Sequence, residues 1–118
     1  MSYRIVFATS FRRSVKRLEK RFRHVKDDVR VAIQQLLQDP RRGVVVPGGS
    51  GARKHRVLNT DLGKGKSGSY RLIYYVEDQP TPTIYLLLLY AKSDRDDVTR
   101  RELKQLLDAL MSEVEEQG

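Results

Sequence analysis

Eight consecutive apolar residues, Ile84-Tyr-Leu-Leu-Leu-Leu-Tyr-Ala91, form the longest such run in the chain. A membrane-spanning helix needs about 20 residues of this kind, so the run is far too short for a span and reads as a strand. Two further probable strands precede it, Arg53 to Leu58 and Tyr70 to Val76. Asn59 to Ser69 links the first pair, and Asp78 to Thr83, with Pro80 and Pro82, links the second. Both links are short enough for antiparallel hairpins, so the three strands are expected to form a β-meander.

The remaining segments alternate at other periods. Tyr3, Ile5 and Phe7 recur every second residue and predict a first strand, after which Thr9 or Ser10 is placed to cap a helix. Phe11, Val15, Leu18 and Phe22 then recur at helical steps, with Arg12, Arg13, Lys16, Arg17 and Lys20 on the other faces. A second helical stripe, Val29, Ala32, Ile33, Leu36 and Leu37, ends at Asp39-Pro40, because the residue before proline disfavours the helical conformation. Gly43 opens a region of short β pieces with a flexible turn at Pro47 to Gly51. Thr99 and Glu102 have capping-box spacing, and Leu103, Leu106, Leu107, Leu110, Met111 and Val114 follow on one helical face. The predicted order is β-α-α-β-β-β-α. It describes an α+β domain, a mostly antiparallel sheet covered by an N-terminal helical hairpin and a C-terminal helix, occupying residues 1–118 as one unit.

The charge is divided unevenly. Residues 1–76 carry 18 Lys/Arg against 5 Asp/Glu, whereas residues 77–118 carry 5 against 10, for a net of +8. A basic excess of this size favours polyanionic partners: nucleic acid, a ribosome or an acidic protein. No cysteine is present, which excludes disulfides and Cys-containing zinc sites, and His24 and His55 stand alone. Neither a metal nor a cofactor is expected. The N-terminus carries no signal-type apolar region, so a cytoplasmic protein is expected. Strand alternation puts Tyr70, Leu72, Tyr74 and Val76 on one face and Arg71, Ile73 and Tyr75 on the other. The first set looks like core, which places Arg71 where a cation meets water or a ligand. In the preceding strand, Lys54, Arg56 and Leu58 share one face and Arg53, His55 and Val57 the other, and either set exposes two basic groups. Antiparallel pairing is expected to bring Lys54 or Arg56 beside Arg71, with Lys92 closing the cluster. Such cations, left unpaired in a groove, would hold a phosphate; paired with Glu77 or Asp94, Arg71 would be an ordinary surface ion pair. The loop Gly63 to Gly68 lacks P-loop spacing, so nucleotide binding of that type is not expected.

Three stretches carry a resemblance: Gly51-Ala-Arg-Lys-His-Arg-Val57, Gly63-Lys-Gly-Lys-Ser-Gly-Ser-Tyr-Arg-Leu-Ile-Tyr-Tyr75 and Leu86-Leu-Leu-Leu-Tyr-Ala-Lys-Ser-Asp-Arg-Asp-Asp-Val-Thr99. In this order, across nearly the whole chain, they resemble the RelE/ParE toxin superfamily, most closely its HigB-type RelE branch. The resemblance implies a small antiparallel-sheet toxin of a type II toxin–antitoxin system. It implies ribosome-dependent cleavage of mRNA at the 30S decoding site, held in check by a cognate antitoxin protein. Carried over by motif, the catalytic set is Arg71, Lys54, Lys92 and Arg56. The RNA- or ribosome-binding set is Arg53, Lys64 and Lys66, with the helix cations Arg12, Arg13, Lys16 and Arg17. Some RelE-like enzymes have a tyrosine after the last cation, where this chain has Thr99. Lys54 or Lys92 is the candidate general base, because neighbouring cations and partial burial both lower a lysine's pKa. A ParE-like inhibitor of DNA gyrase, or a basic module that binds RNA or antitoxin without catalysis, are the alternatives.

Overall fold

The computed structural model describes residues 2–62 and 68–117. In chain order the elements are β1 (Arg4–Phe7), α1 (Thr9–Glu19), α2 (Val25–Gln38), β2 (Val44–Val45), β3 (Arg53–Leu58), β4 (Ser69–Glu77), β5 (Thr83–Ala91) and α3 (Arg100–Gln117). They build an α+β domain on one five-stranded sheet in the order β1-β5-β4-β3-β2. The meander β3-β4-β5 is antiparallel as expected. Two features are additional: the two-residue β2 pairs antiparallel with the start of β3, and β1 returns to lie parallel against β5.

The unbroken apolar run has a simple cause. All nine residues of β5 are buried, because both faces of the sheet are covered there. On one face Phe11, Val15 and Leu18 of α1 and Val25, Val29 and Leu36 of α2 meet Tyr70, Leu72, Tyr74, Ile84, Leu86 and Leu89. On the other, Leu103 and Leu110 of α3, with Val46 and Ala52, meet Ile73, Tyr85, Leu87, Leu88 and Tyr90. Fully burying each such side chain contributes about 1.5–3 kcal/mol, so β5 is the stable centre of the fold. A bulge interrupts the side-to-side alternation within β5: Ile73 opposes Leu88 and Tyr74 opposes Leu86, so Leu87 is an extra residue and both Leu87 and Leu88 belong to the core on the α3 side. Just past the bulge, Leu89 N–H donates to Ser14 Oγ (3.0 Å) on α1.

One expectation at the helix ends is corrected and another holds. Neither Thr9 nor Ser10 caps α1: the capping position is Ala8, and Ser10 Oγ instead donates to the Leu87 carbonyl (2.6 Å). The Thr9 N–H is satisfied from a distant segment, by the Glu113 carboxylate of α3 (3.0 Å), a favourable charge at a helix N-terminus. On α3, Thr99 Oγ does accept the Glu102 N–H (3.0 Å). Met111 and Val114 lie on the predicted apolar face but are 57% and 40% exposed.

The segment after α2 is strapped to the sheet. Tyr74 O–H donates to the Pro40 carbonyl (2.8 Å) and its oxygen accepts the Gly43 N–H (2.9 Å). A Cβ at position 43 would lie 2.8 Å from both the Lys54 carbonyl and the Tyr74 hydroxyl, so only glycine fits. Gly43→Ala is therefore expected to destabilise the protein by about 1–3 kcal/mol through overpacking, lowering the thermal midpoint by several degrees. An unchanged midpoint by circular dichroism would contradict this account of the strap.

Candidate phosphate-binding site

Arg71 sits in the middle of a row that crosses three strands. The register pairs it with Arg56 of β3 on one side and with Tyr90 of β5 on the other. Side-chain alternation turns this row away from the α1–α2 hairpin, because Val57, Tyr70 and Leu72 belong to the hairpin-side core. Of the two faces left open for β3, the one carrying Lys54, Arg56 and Leu58 joins Arg71. Arg53 is not gathered with them: its guanidinium donates to the carbonyls of Gly43 (2.7 Å) and Arg41 (3.1 Å) and belongs to the strap. His55 is buried on the hairpin side, its Nε2 sharing a hydrogen bond with Gln35 Oε1 (3.1 Å).

A hollow of about 310 Å³ opens beside this row, lined by Arg42, Gly43, Val44, Lys54, His55, Arg56 and Arg71. Among the described residues four of its walls are cations and none is a carboxylate. Arg71 is steadied by donating to Ser69 Oγ (2.6 Å) and the Tyr70 carbonyl (3.2 Å). It pairs with neither Glu77 nor Asp94. Asp94 is held by Arg21 (2.6 Å), and Glu77 accepts the Tyr85 hydroxyl (3.4 Å). Among the described residues Arg42 and Arg56 also have no ion pair. A guanidinium presents a planar fork of donors that matches phosphate oxygens, and three such groups around one hollow are built for an anion.

The two lysines depart from the expectation of unpaired cations. Lys54 Nζ lies 3.0 Å from Asp97 Oδ1, and Lys92 Nζ donates to the Asp96 carbonyl (3.0 Å) with its carboxylate at 3.4 Å. The acidic segment after β5 thus lays carboxylates on the lysines. Burial pushes the Asp97 carboxyl up, but the hydrogen bonds from Lys54 and the Val98 N–H, with the charges of Lys54 and Lys92, outweigh it and hold the group below the usual range. Half-exposed pairs of this kind contribute about 0.2–1 kcal/mol, little enough for a phosphate to replace the carboxylate. Arg95 holds the segment in place by pairing with Glu102, donating to the Asp97 carbonyl (2.9 Å) and resting 5.0 Å from the Tyr90 ring centre. The Tyr90 hydroxyl is buried and has no hydrogen-bond partner among the described residues. Burial, then the charge of Asp97, raises its pKa against the opposing pull of Arg95 and Arg71.

The helix cations form a separate group. Arg12, Arg13, Lys16 and Arg17 are exposed on α1, on the other side of the sheet from Arg71. Arg12 and Lys16 rim a groove of about 460 Å³ with Phe7, Phe11, Val15, Val29 and Ile33 at its base, and Lys26, Arg30 and Glu19 complete the rim, Lys26 pairing with Glu19 (3.1 Å). Lys64 and Lys66 lie outside the described residues. Sequence reasoning did not single out Arg42, Tyr90 or Asp97. Asp97 and Tyr90 flank Lys92 in the chain, whereas the strap to Tyr74 and Arg53 and the β2–β3 pairing carry Arg42 to the hollow.

His55 gives the site a pH signature. Burial, helped by the nearby charge of Arg42, lowers its affinity for a proton in the folded state. The unfolded chain, with a pKa of about 6.5, therefore takes up the proton first. This contribution to stability is complete above about pH 6.5 and is lost as pH falls below it. His55→Gln is expected to flatten part of the decline in the urea midpoint between pH 7 and 5; superimposable parent and variant profiles would rule it out.

No helix among the described residues is long and apolar enough to cross a membrane, and no three potential metal ligands gather there. No protein-family profile matches the chain. Among solved structures, an arginine-substituted variant of the E. coli toxin RelE in the free state is similar, with a TM-score of 0.55 and 20% identity over 81% of this chain and 90% of that one. The toxin–antitoxin complex RelBE2 from Mycobacterium tuberculosis gives a TM-score of 0.49 and 24% identity over 77% of this chain and 99% of that one. At such identities the likeness concerns architecture, and the architecture of this chain is the RelE-like fold.

Proposed function

We propose that the chain is the toxin of a type II toxin–antitoxin system, of the HigB-type RelE branch, and that it cleaves mRNA on the ribosome. The observation that carries this reading is the hollow walled by Arg42, Lys54, Arg56 and Arg71 with no carboxylate among the described residues of its lining. Cleavage begins with attack of a ribose 2′-oxygen on the adjacent phosphorus and ends with departure of the 5′-oxygen, which takes a proton and leaves a 2′,3′-cyclic phosphate. The extra negative charge of the phosphorane falls to Arg71, seconded by Arg56. Lys54 and Lys92 exchange Asp97 and Asp96 for the substrate: one of them, as the neutral amine, receives the 2′-hydroxyl proton, and the other, as the ammonium, gives a proton to the departing 5′-oxygen.

A site with such modest means for proton transfer depends on having its substrate held in line. Orientation supplies more than general acid–base assistance, which contributes about 10²–10⁴-fold. The decoding site of a ribosome would provide that orientation. The α1 cations Arg12, Arg13, Lys16 and Arg17 dock on ribosomal RNA, and the apolar groove with its basic rim suits an acidic amphipathic segment of the cognate antitoxin. Primer extension on mRNA from cells expressing the protein, run beside a gyrase supercoiling assay, tests the reading. Discrete message cuts with normal supercoiling are expected. Loss of supercoiling without cuts would make the chain a gyrase inhibitor, and neither effect would make it a binding module.

A further inference from the structure

The cationic hollow has a neighbour that the proposed reaction does not use. A second depression of about 350 Å³ lies between α2 and the edge of β3, and Arg42, His55 and Arg56 line both. This edge is open because β2 covers only Arg53 and Lys54. Val31, Ala32, Val57 and Leu58 give the second depression apolar walls, and Gln35 supplies a side-chain amide. Its size falls at the lower end of small-molecule sites, which run from about 300 to 1,000 Å³. Its chemistry differs from that of its neighbour: Asp28 stands at the far end, its carboxylate accepting from Thr60 N–H (3.1 Å) and Oγ (2.9 Å). A second phosphate is therefore unsuited to it.

We propose that this depression receives the nucleobase of the nucleotide whose phosphate occupies the cationic hollow, with Gln35 as the residue that reads it. The inference rests on the RNA-cleaving reading for its substrate class. Three observations converge. Apolar walls bury a flat ring. The unpaired guanidinium groups of Arg42 and Arg56 stand at the boundary between the two hollows, where such groups stack on bases and contact phosphate together. Gln35 is oriented by its bond with His55. With the neutral imidazole protonated at Nε2, Gln35 Oε1 is the acceptor and the amide NH₂ keeps both donors for the carbonyl or ring nitrogen of a base. A ribose bridges from the shared wall to either side, so one nucleotide fills both hollows.

The test uses isotopically labelled protein titrated with the four nucleoside 3′-monophosphates, ribose 3-phosphate and inorganic phosphate, observed by NMR. Signals of Arg42, Arg56 and Arg71 are expected to respond to all six, and the Gln35 side-chain amide to the nucleotides alone. The best nucleotide should bind about three- to tenfold more tightly than the weakest, the range of one or two neutral hydrogen bonds, and Gln35→Ala should erase that selectivity while all four nucleotides still bind more tightly than ribose 3-phosphate. Equal dissociation constants for ribose 3-phosphate and all four nucleotides would overturn the proposal. So would a Gln35 amide that is shielded by bound antitoxin and unmoved by any nucleotide, which would make the depression a protein contact. Base-selective binding by a protein that cuts no ribosome-bound message would refute the cleavage reading and leave the base site standing.

Discussion

Arg71→Ala is expected to abolish mRNA cleavage and growth arrest together while leaving a folded, soluble protein. The residue stands at the centre of the Arg56–Arg71–Tyr90 row and is the one guanidinium of the hollow anchored by neighbours in its own strand, through Ser69 Oγ and the Tyr70 carbonyl. An anchored donor aimed at developing charge needs no reorganisation as the phosphorane forms. Losing one such group typically costs about 10²–10³-fold in the chemical step. Arg71→Lys should recover only part of this, because an ammonium keeps the charge and loses the planar fork. The core beneath is carried by Tyr70, Leu72 and Tyr74, each at most 1% exposed and pointing to the other face, so the thermal midpoint should move little. Single-turnover cleavage on programmed ribosomes measures the effect. Full toxicity in a soluble Arg71→Ala variant would sink the assignment.

The second large effect separates docking from chemistry. Lys54→Ala and Lys92→Ala are expected to slow single-turnover cutting by roughly 10²-fold or more while ribosome association stays within a few-fold. Neutralising Arg12, Arg13, Lys16 and Arg17 should do the reverse. Association weakens and its salt dependence flattens, by about one unit of log–log slope for each phosphate no longer neutralised, and bound message is still cut at saturating protein. The two groups lie on opposite sides of the sheet, which is why they should fail independently. The lysines' partners sharpen the expectation: Asp97→Asn frees Lys54 without removing it, so phosphate affinity should rise if Asp97 competes with substrate. Groove variants that lose association in proportion to cleavage, or helix variants that lose only cleavage, would reassign the cations.

Local pattern alone carried much of this protein. Helical spacing located every helix, period-two spacing and the unbroken apolar run located the longer strands, the region of short β pieces after Gly43 holds the two-residue β2, and the meander followed from the shortness of its links. Alternation within Tyr70 to Val76 put Arg71 on the face away from the hairpin core before any partner was known, and likewise grouped Lys54 with Arg56. These readings succeed because they depend on residues a few positions apart, whose geometry is imposed by the backbone itself. Other features needed the folded chain. The parallel seat of β1 against β5, the bulge that turns both Leu87 and Leu88 toward α3, and the capping of α1 by Glu113 each join segments distant in sequence. The same holds at the site: Asp97 reaches Lys54 across 43 positions, Arg42 arrives through the strap and β2, and Arg53 turns its charge into the carbonyls of the strap. Periodicity says which way a side chain points. Which charge it meets there depends on register and on the packing of distant elements, so the cations were legible in the sequence and their partners were decided by the tertiary structure.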